Sequence, residues 1–217
     1  MSSKLSVVLI SSLRSSVVQL VNEFDQIPLE RKEILTSMAE YIQKHVSQFR
    51  TVNLNFICTH NSRRSHLAQI WAQTAAYYFD VSDVKCFSGG TEATAFNIRA
   101  VKAMGKAGFT IKKVKAGENP VYEVIYSNSE KPIMAFSKKY DDHHNPAKDF
   151  AAIMTCSHAD ENCPLVFGAA ARFAITYDDP KDFDGTLLEE EKYNERVMQI
   201  GREMFYAFSR VNASKQL

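Results

Sequence analysis

Apolar residues in the first fifty positions recur at three- and four-residue intervals, which is the period of an amphipathic helix. A first series consists of Leu5, Leu9, Leu13, Val17, Leu20 and Val21. A second series begins after Pro28, a residue that suits a helix start, and consists of Ile34, Leu35, Met38, Ile42 and Val46. The pattern predicts two helices in an N-terminal helical extension, residues 1–50. This extension either packs on the rest of the protein, which the single apolar stripe favours, or forms a dimerisation or partner-binding arm.

From residue 51 onward, short apolar segments alternate with helical stretches. The predicted strands are 52–57, 84–88, 151–155 and 173–176, and the predicted helices are 62–79, 95–107 and about 187–212. Strands separated by helices of this length indicate a parallel sheet with helices on both faces. Ligands of such sheets bind beyond the carboxyl ends of the strands. We therefore predict one catalytic α/β domain over residues 51–217.

One segment interrupts this alternation. The apolar stretches 120–126 and 132–136 flank the turn-rich residues 127–130, Ser-Asn-Ser-Glu. This arrangement predicts a β-hairpin within an insertion over about residues 115–147. We expect the insertion to have a structural role or to act as a lid.

Composition and charge exclude several classes of protein. The chain has 217 residues, with 26 Lys and Arg against 25 Asp and Glu, so it offers no reason to expect a nucleic-acid or membrane-surface partner. No apolar run approaches the roughly 18 residues that suggest a membrane span. Four widely placed cysteines do not resemble a secreted disulfide framework, and Arg14 interrupts the apolar segment that a signal peptide would need. We predict a cytoplasmic protein with reduced thiols.

The first candidate for chemistry is the stretch Cys-Thr-His-Asn-Ser-Arg-Arg-Ser, residues 58–65, between a predicted strand and a predicted helix. A cysteine here lies among loop N–H groups and near a helix N-terminus, both of which stabilise a thiolate. Arg64 can return its guanidinium to the same point, and Ser65 can donate its hydroxyl. Backbone donors and a guanidinium also suit a tetrahedral oxyanion. Cys58 is therefore a candidate nucleophile, and the alternative is a buried apolar cysteine.

A second stretch carries two cysteines seven positions apart, Cys156 and Cys163, in the sequence Cys-Ser-His-Ala-Asp-Glu-Asn-Cys-Pro. Zinc pairs usually have two to four residues between their ligands and a matching second pair, and His158 alone does not supply one. The remaining interpretations are two unrelated structural cysteines or a redox relay. A relay needs a flexible backbone between the thiols, which a short helix over 157–162 would provide by unwinding.

The loop 58–65 resembles the phosphate-binding loop of the low-molecular-weight protein tyrosine phosphatase superfamily, whose pattern is Cys-x5-Arg-Ser/Thr. The similarity runs from about Val52 to the C-terminus, outside the insertion. It implies a four-stranded parallel sheet flanked by helices, in agreement with the predicted elements. The superfamily contains phosphatases and thioredoxin-coupled arsenate reductases. The segment from Cys156 to Pro164 resembles the relay segment of the reductases, and a phosphatase needs neither of its thiols.

The resemblance implies reduction of arsenate to arsenite by a thiol–disulfide cascade. Cys58 attacks arsenate, and Cys156 attacks the adduct and releases arsenite. Cys163 then forms with Cys156 a disulfide that thioredoxin reduces, so that no metal or bound organic cofactor is required. Asp179 in Tyr-Asp-Asp-Pro matches the general acid of both branches, with Asp178 as the neighbouring alternative. The oxyanion would be held by the loop residues Thr59, His60, Asn61, Ser62, Arg63, Arg64 and Ser65.

Two other functions remain open. One is a low-molecular-weight protein tyrosine phosphatase that hydrolyses phosphotyrosine or small phosphoesters through a phosphocysteine intermediate, although Lys181 stands where such phosphatases usually carry an aromatic residue. The other is a non-catalytic redox or interaction module in which the N-terminal extension carries the function, with a homodimer through its helices as one form.

The loop also departs from the family pattern. His60 replaces a usual glycine, where backbone strain would alter the fit of the oxyanion. The alternatives are that His60 steers an oxyanion or interacts with Asp179, or that the substitution is simply tolerated. Arg63 replaces a cysteine that reductases often carry but that the cascade does not use. Gln69 stands where some reductases have a glutamate that serves a potassium site, which puts such a site in doubt. Asn61 and Ser88 are candidates for bracing the loop.

Overall fold

The computed structural model describes residues 8–162 and 165–212. The helices are α1 (Arg14–Asn22), α2 (Leu29–Val46), α3 (Arg64–Tyr78), α4 (Ile98–Lys106), α5 (Ser157–Asn162) and α6 (Glu189–Ser209). The strands are β1 (Val52–Cys58), β2 (Val84–Gly90), β3 (Thr110–Lys115), β4 (Val121–Ile125), β5 (Ile133–Ala135), β6 (Phe150–Met154) and β7 (Ala169–Ala174).

The main sheet has four parallel strands in the order β2-β1-β6-β7, flanked by helices, which confirms the predicted fold class. Strand β1 lies in the interior of the sheet, where Cys58 pairs with Gly90 of β2 and Ile57 pairs with Met154 of β6. Since the strands are parallel, their carboxyl ends meet at one edge of the sheet. The residues that follow β1, β6 and β7 therefore come together there.

A second sheet, antiparallel and in the order β3-β4-β5, contains the predicted hairpin. Its first strand, β3, was not predicted, so this sheet begins at Thr110 rather than near residue 115. The β3 sequence Thr-Ile-Lys-Lys-Val-Lys is mostly exposed and carries three lysines. It therefore lacks the regular alternation of apolar and polar residues by which a strand is recognised. Strand β7 starts at Ala169, four residues before the predicted strand, because its alanines carry little strand signal.

The N-terminal helices pack on the α/β part of the chain. Helix α2 begins directly after Pro28, as predicted, and both α1 and α2 contact α6. The first helix is shorter than predicted, because a 3-10 turn over Ser11–Leu13 precedes α1, and Leu5 lies outside the described residues. Ahead of this turn, the Ile10 N–H donates to the Tyr126 carbonyl at 3.0 Å, which ties the extension to the second sheet. This packing explains the apolar stripe, and the homodimer contact stays a prediction.

Across residues 8–162 and 165–212, the helices are too short or too polar to cross a lipid bilayer.

The close approach of α6 to α1 and α3 depends on Gly201. A Cβ atom at this position would lie 2.9 Å from both Leu20 Cδ1 and Trp71 Cε2. We expect Gly201→Leu to lower the free energy of unfolding by about 1–3 kcal/mol through overpacking, as measured by urea denaturation. Gly105 in α4 is the matched control, because it is exposed with open space around it. Gly105→Leu should raise the free energy of unfolding by about 0.5–1 kcal/mol through helix propensity, and equal losses in both variants would contradict the packing argument.

Candidate active site

The loop over residues 58–65 turns its backbone carbonyls outward. They accept hydrogen bonds of 2.8 to 3.1 Å from donors in two neighbouring segments, 91–97 and 137. The accepting carbonyls are those of Cys58, Thr59, His60 and Ser62. A loop whose carbonyls are bound on its outer side presents its N–H groups to the inside, which is the arrangement of an anion-binding nest. Helix α3 starts at Arg64 without a side-chain cap, so its N-terminal N–H groups add to this nest.

The insertion braces this loop. The Ser137 side chain donates to the His60 carbonyl, and the Lys138 N–H donates to Asn61 Oδ1 at 2.9 Å. The Asn61 amide in turn donates to Ser65 Oγ at 2.9 Å. Gly90 at the end of β2 allows the close approach, because a Cβ atom there would lie 2.7 Å from the Asn61 nitrogen. The second sheet is thus a support for the oxyanion loop.

The candidate nucleophile lies at the base of the loop. Cys58 is 4% exposed, and its Sγ lies 3.1 Å from Ser65 Oγ. Because Ser65 Oγ already accepts from Asn61, its own hydrogen is free to point at the sulfur and stabilise a thiolate. The residue with positive φ in the loop is Asn61, at 43°, and asparagine tolerates this region. His60 is not among the positive-φ residues, so the strain expected there is absent.

The candidate arginine and general acid are held together. Arg64 donates from Nη1 to the Tyr177 carbonyl at 2.9 Å and from Nη2 to Asp179 Oδ2 at 2.7 Å. Its Nε is buried without a hydrogen-bond partner, so this donor remains for an oxyanion. Asp179 is partly exposed and caps the turn that follows it, whereas the side chain of Asp178 is 94% exposed and faces Arg196. The structure therefore places Asp179, and not Asp178, against Arg64.

Arg63 also faces Asp179, with its Nε 3.8 Å from Asp179 Oδ1, but its nearest partner is a tyrosine. Its Nε donates to the Tyr193 hydroxyl at 2.9 Å, and its guanidinium lies 3.7 Å from Asp184. Burial, followed by the Asp184 carboxylate, raises the pKa of Tyr193 to about 12, so this hydroxyl stays protonated. Among the predicted oxyanion-binding residues, Arg63 thus has its guanidinium occupied, while its backbone remains in the loop.

Cys156 follows β6 at the same edge of the sheet. The Thr155 N–H donates to the Ile57 carbonyl at 2.7 Å, which sets Cys156 beside the end of β1. Cys156 is 1% exposed and belongs to the same buried cluster as Cys58. Both are free thiols, and Cys163, which follows α5 directly, lies outside the described residues.

Thr59 connects the oxyanion loop with the segment that carries Cys156. Thr59 Oγ1 lies 3.5 Å from Cys156 Sγ and 3.2 Å from Nδ1 of His158. Cys156 Sγ also accepts from the Ala159 N–H at 3.4 Å, so it lies at the positive end of the first turn of α5. The sequence interpretation considered His158 only as a metal ligand and missed its link to Thr59. The sequence does contain a signal for this role, since His158 lies two residues after the candidate thiol and a histidine there is a candidate proton acceptor.

Comparison with known proteins decides the family. The arsenate reductase of Bacillus subtilis is 33% identical over 138 residues, which cover 64% of this chain and 79% of that protein. The arsenate reductase of Halalkalibacterium halodurans is 30% identical over the same shares of both chains. The chain belongs to the arsenate reductase family. No family model matches it.

The fold of this arsenate reductase family member is also that of the phosphatases. The low-molecular-weight protein tyrosine phosphatase from T. tengcongensis aligns with a TM-score of 0.50 at 15% identity. The alignment covers 74% of this chain and all of that one. Family membership and the shared fold therefore support an arsenate reductase or, as the alternative, a phosphatase.

Two further positions bear on metal binding in this family member. Gln69 donates to the Cys86 carbonyl at 3.0 Å, and its amide oxygen is buried without a hydrogen-bond partner. In the part of the chain that the structure describes, Asp142, His143 and His144 form the cluster whose side chains could share a metal ion. This cluster lies on the loop between β5 and β6 and contains none of the predicted catalytic residues.

The histidine that directly follows the loop is buried in the core. His66 in α3 is fully buried, stacks on Phe96 and lies 3.3 Å from Ser88 Oγ. Burial, followed by the Lys138 ammonium, lowers the pKa of His66 well below its usual value. Burial in turn lowers the pKa of Lys138 to about 8. His66 is therefore neutral at neutral pH, and protonating it would put a second cation beside Lys138.

The depressed pKa predicts a pH-dependent stability. Below about pH 6.5 the unfolded chain binds a proton at His66 that the folded chain does not, so the free energy of unfolding should fall with falling pH. The slope should approach about 1.4 kcal/mol per pH unit in urea denaturation between about pH 5 and 6.5. His66→Gln should remove this slope. His143→Gln, at a side chain that is 82% exposed, should keep it, and an unchanged slope in His66→Gln would exclude the neutral buried histidine.

Proposed function

We propose that this protein reduces arsenate to arsenite through Cys58, Cys156 and Cys163, with thioredoxin as the external reductant. The observation that carries the proposal is the placement of Cys156 at the same sheet edge as Cys58, in the same buried cluster and within reach of Thr59. A phosphatase has no use for a second buried thiol at this point. Reduced thiols at the start of the cascade fit a cytoplasmic protein.

In the first step, the loop N–H groups and the free Nε of Arg64 hold arsenate. The Cys58 thiolate attacks arsenic and forms an S–As bond, and Asp179 protonates the departing hydroxide so that it leaves as water. Arg64 bridges the oxyanion and Asp179 and keeps the acid beside the leaving oxygen. No electrons change hands in this step, since arsenic remains As(V).

In the second step, the Cys156 thiolate attacks the Cys58 sulfur. The S–As bond breaks, and its electron pair goes to arsenic, which becomes As(III) and leaves as arsenite. The two sulfurs are oxidised to a Cys58–Cys156 disulfide. Cys156 must first lose its proton, and the Thr59 hydroxyl offers a path to the His158 imidazole on the outside of the site.

In the third step, Cys163 attacks Cys156, and the resulting Cys156–Cys163 disulfide is reduced by the thioredoxin dithiol. Helix α5 has only six residues, so its unwinding costs few hydrogen bonds. Two apolar side chains that follow this helix, Leu165 and Phe167, are 65% and 75% exposed. They offer a protein partner an apolar contact close in sequence to the two cysteines.

A phosphatase is the second candidate, because the loop, Arg64 and Asp179 also make a complete set for phosphocysteine chemistry. Cys58 would attack phosphorus, and Asp179 would protonate the leaving alcohol before water releases phosphate. This chemistry does not use Cys156, which is the residue that separates the two functions.

Substitution of single cysteines tests the proposal. With thioredoxin, thioredoxin reductase, NADPH and arsenate, wild type should consume NADPH, and Cys58→Ser and Cys156→Ser should each lose turnover because each removes a required sulfur. Cys86 is a matched control, being a buried free thiol outside the site whose pKa is raised by burial. Cys86→Ser should keep its turnover within about twofold.

The same variants can refute the reductase function. If wild type gives no arsenate-dependent NADPH consumption while Cys156→Ser hydrolyses an aryl phosphate at the wild-type rate, the protein is a phosphatase. Peptide mapping after mild oxidation should find a Cys156–Cys163 bridge, and free thiols at both positions would exclude the relay.

The proton path predicts a selective defect in the second step. In a Cys163→Ser background, Thr59→Val should slow formation of the Cys58–Cys156 disulfide by about tenfold or more, because the hydroxyl that accepts the Cys156 proton is gone. Single-turnover quenching with mass spectrometry measures this rate. Thr59→Ser keeps the hydroxyl and should keep the rate. Equal rates in Thr59→Val and Thr59→Ser would show that the hydroxyl does not carry the proton.

A further inference from the structure

The N-terminal extension places a guanidinium in the interior of the catalytic domain. Arg31 in α2 lies against Glu203 in α6, with its Nε and Nη2 both 2.8 Å from Glu203 Oε2. The two side chains are 16% and 3% exposed. Glu203 Oε1 also accepts from Gln199 at 3.3 Å. A carboxylate this deeply buried needs its cation, so the pair fixes where Arg31 lies.

The same guanidinium covers Tyr177. The Arg31 Cζ lies 4.7 Å from the centre of the Tyr177 ring, which is a cation–π distance. Tyr177 is 4% exposed, and burial, followed by the Glu203 carboxylate, raises the pKa of its hydroxyl, so the ring stays neutral under the cation. The ring is therefore held between the core and Arg31.

The main chain of Tyr177 belongs to the active site. Its carbonyl accepts the hydrogen bond from Arg64 Nη1 at 2.9 Å, and its N–H donates to the Thr155 carbonyl at 3.2 Å, next to Cys156. Asp179 follows two residues later and accepts from Arg64 Nη2. One residue thus connects the extension, through its ring, with the catalytic guanidinium, through its carbonyl.

We propose that Arg31 is a positioning residue for the oxyanion site. By clamping the Tyr177 ring it sets the carbonyl that orients Arg64, which leaves Arg64 Nε directed at the oxyanion. The N-terminal extension is then part of the binding site and not an appended arm. This inference rests on one part of the proposed function, namely that the loop binds a tetrahedral oxyanion. Inorganic phosphate is such an oxyanion and is therefore a sufficient probe.

The test measures phosphate binding by calorimetry in the full chain, beside stability by urea denaturation. Arg31→Met keeps the aliphatic stem and removes the cation, and it should weaken phosphate binding by about tenfold, the loss expected when one charged hydrogen bond is misdirected. Glu23→Gln is the matched control. It breaks the 3.1 Å ion pair with Arg202, which also joins the extension to α6 but does not touch Tyr177. Its phosphate affinity should stay within about twofold of wild type.

A second variant separates positioning from folding. Arg31→Met leaves Glu203 buried without its cation and loses stability, whereas Arg31→Met/Glu203→Met replaces the whole pair with apolar groups and should recover it. Phosphate affinity should stay low in the double variant, because the clamp on Tyr177 is still missing. Recovery of affinity together with stability would show that Arg31 is only structural.

A double-mutant cycle with Arg64 tests whether Arg31 acts on phosphate affinity through the Arg64 guanidinium. In an Arg64→Lys background, which lacks the forked donors, Arg31→Met should cause little further loss of phosphate affinity. Independent, additive losses would refute the path through Arg64. Wild type that fails to bind phosphate would refute the proposed oxyanion site itself, whereas normal wild-type binding with an unaffected Arg31→Met would refute this inference alone.

Discussion

The outward orientation of the carbonyls in the loop 58–65 is the constraint on which the site depends. A loop of eight residues cannot present its N–H groups inward unless its carbonyls find donors elsewhere, because buried carbonyls are costly to leave unpaired. Here the donors are supplied by segment 91–97 and by Ser137, and the two are themselves joined by a hydrogen bond from the Thr94 N–H to Ser137 Oγ. Because β1 ends at Cys58 and α3 begins at Arg64, this arrangement also places the candidate nucleophile and the N-terminus of α3 beside the inward N–H groups.

Two parts of the chain that look peripheral in the sequence support this arrangement. The second sheet is followed closely by Ser137 and Lys138, whose hydrogen bonds brace the loop. The N-terminal extension reaches the carbonyl that holds Arg64 through Arg31 and the Tyr177 ring. The candidate catalytic groups therefore depend on contacts made by segments that carry no recognisable catalytic motif.

Most of the fold could be predicted from periodicity. The helices from α3 to α6, apart from the short α5, end within three residues of the predicted positions, because long amphipathic segments repeat their signal several times. Strand β3 was missed and β7 was displaced, because a lysine-rich edge and a run of alanines are recognisable as strands only once a partner strand is present. The prediction of backbone strain at His60 was wrong, since the residue whose backbone has a left-handed conformation is its neighbour Asn61.

The sequence by itself determined the candidate nucleophile, the candidate arginine and the candidate relay cysteine, because Cys58, Arg64 and Cys156 belong to short motifs whose chemistry depends on local spacing. Only the tertiary structure decided between Asp178 and Asp179, since the two are adjacent and differ only in which one faces Arg64. It also decided the links of Thr59 to His158 and of Arg31 to Tyr177. Contacts between residues about a hundred or more positions apart leave no mark on local patterning, because they form only when the sheet edges and helices have packed.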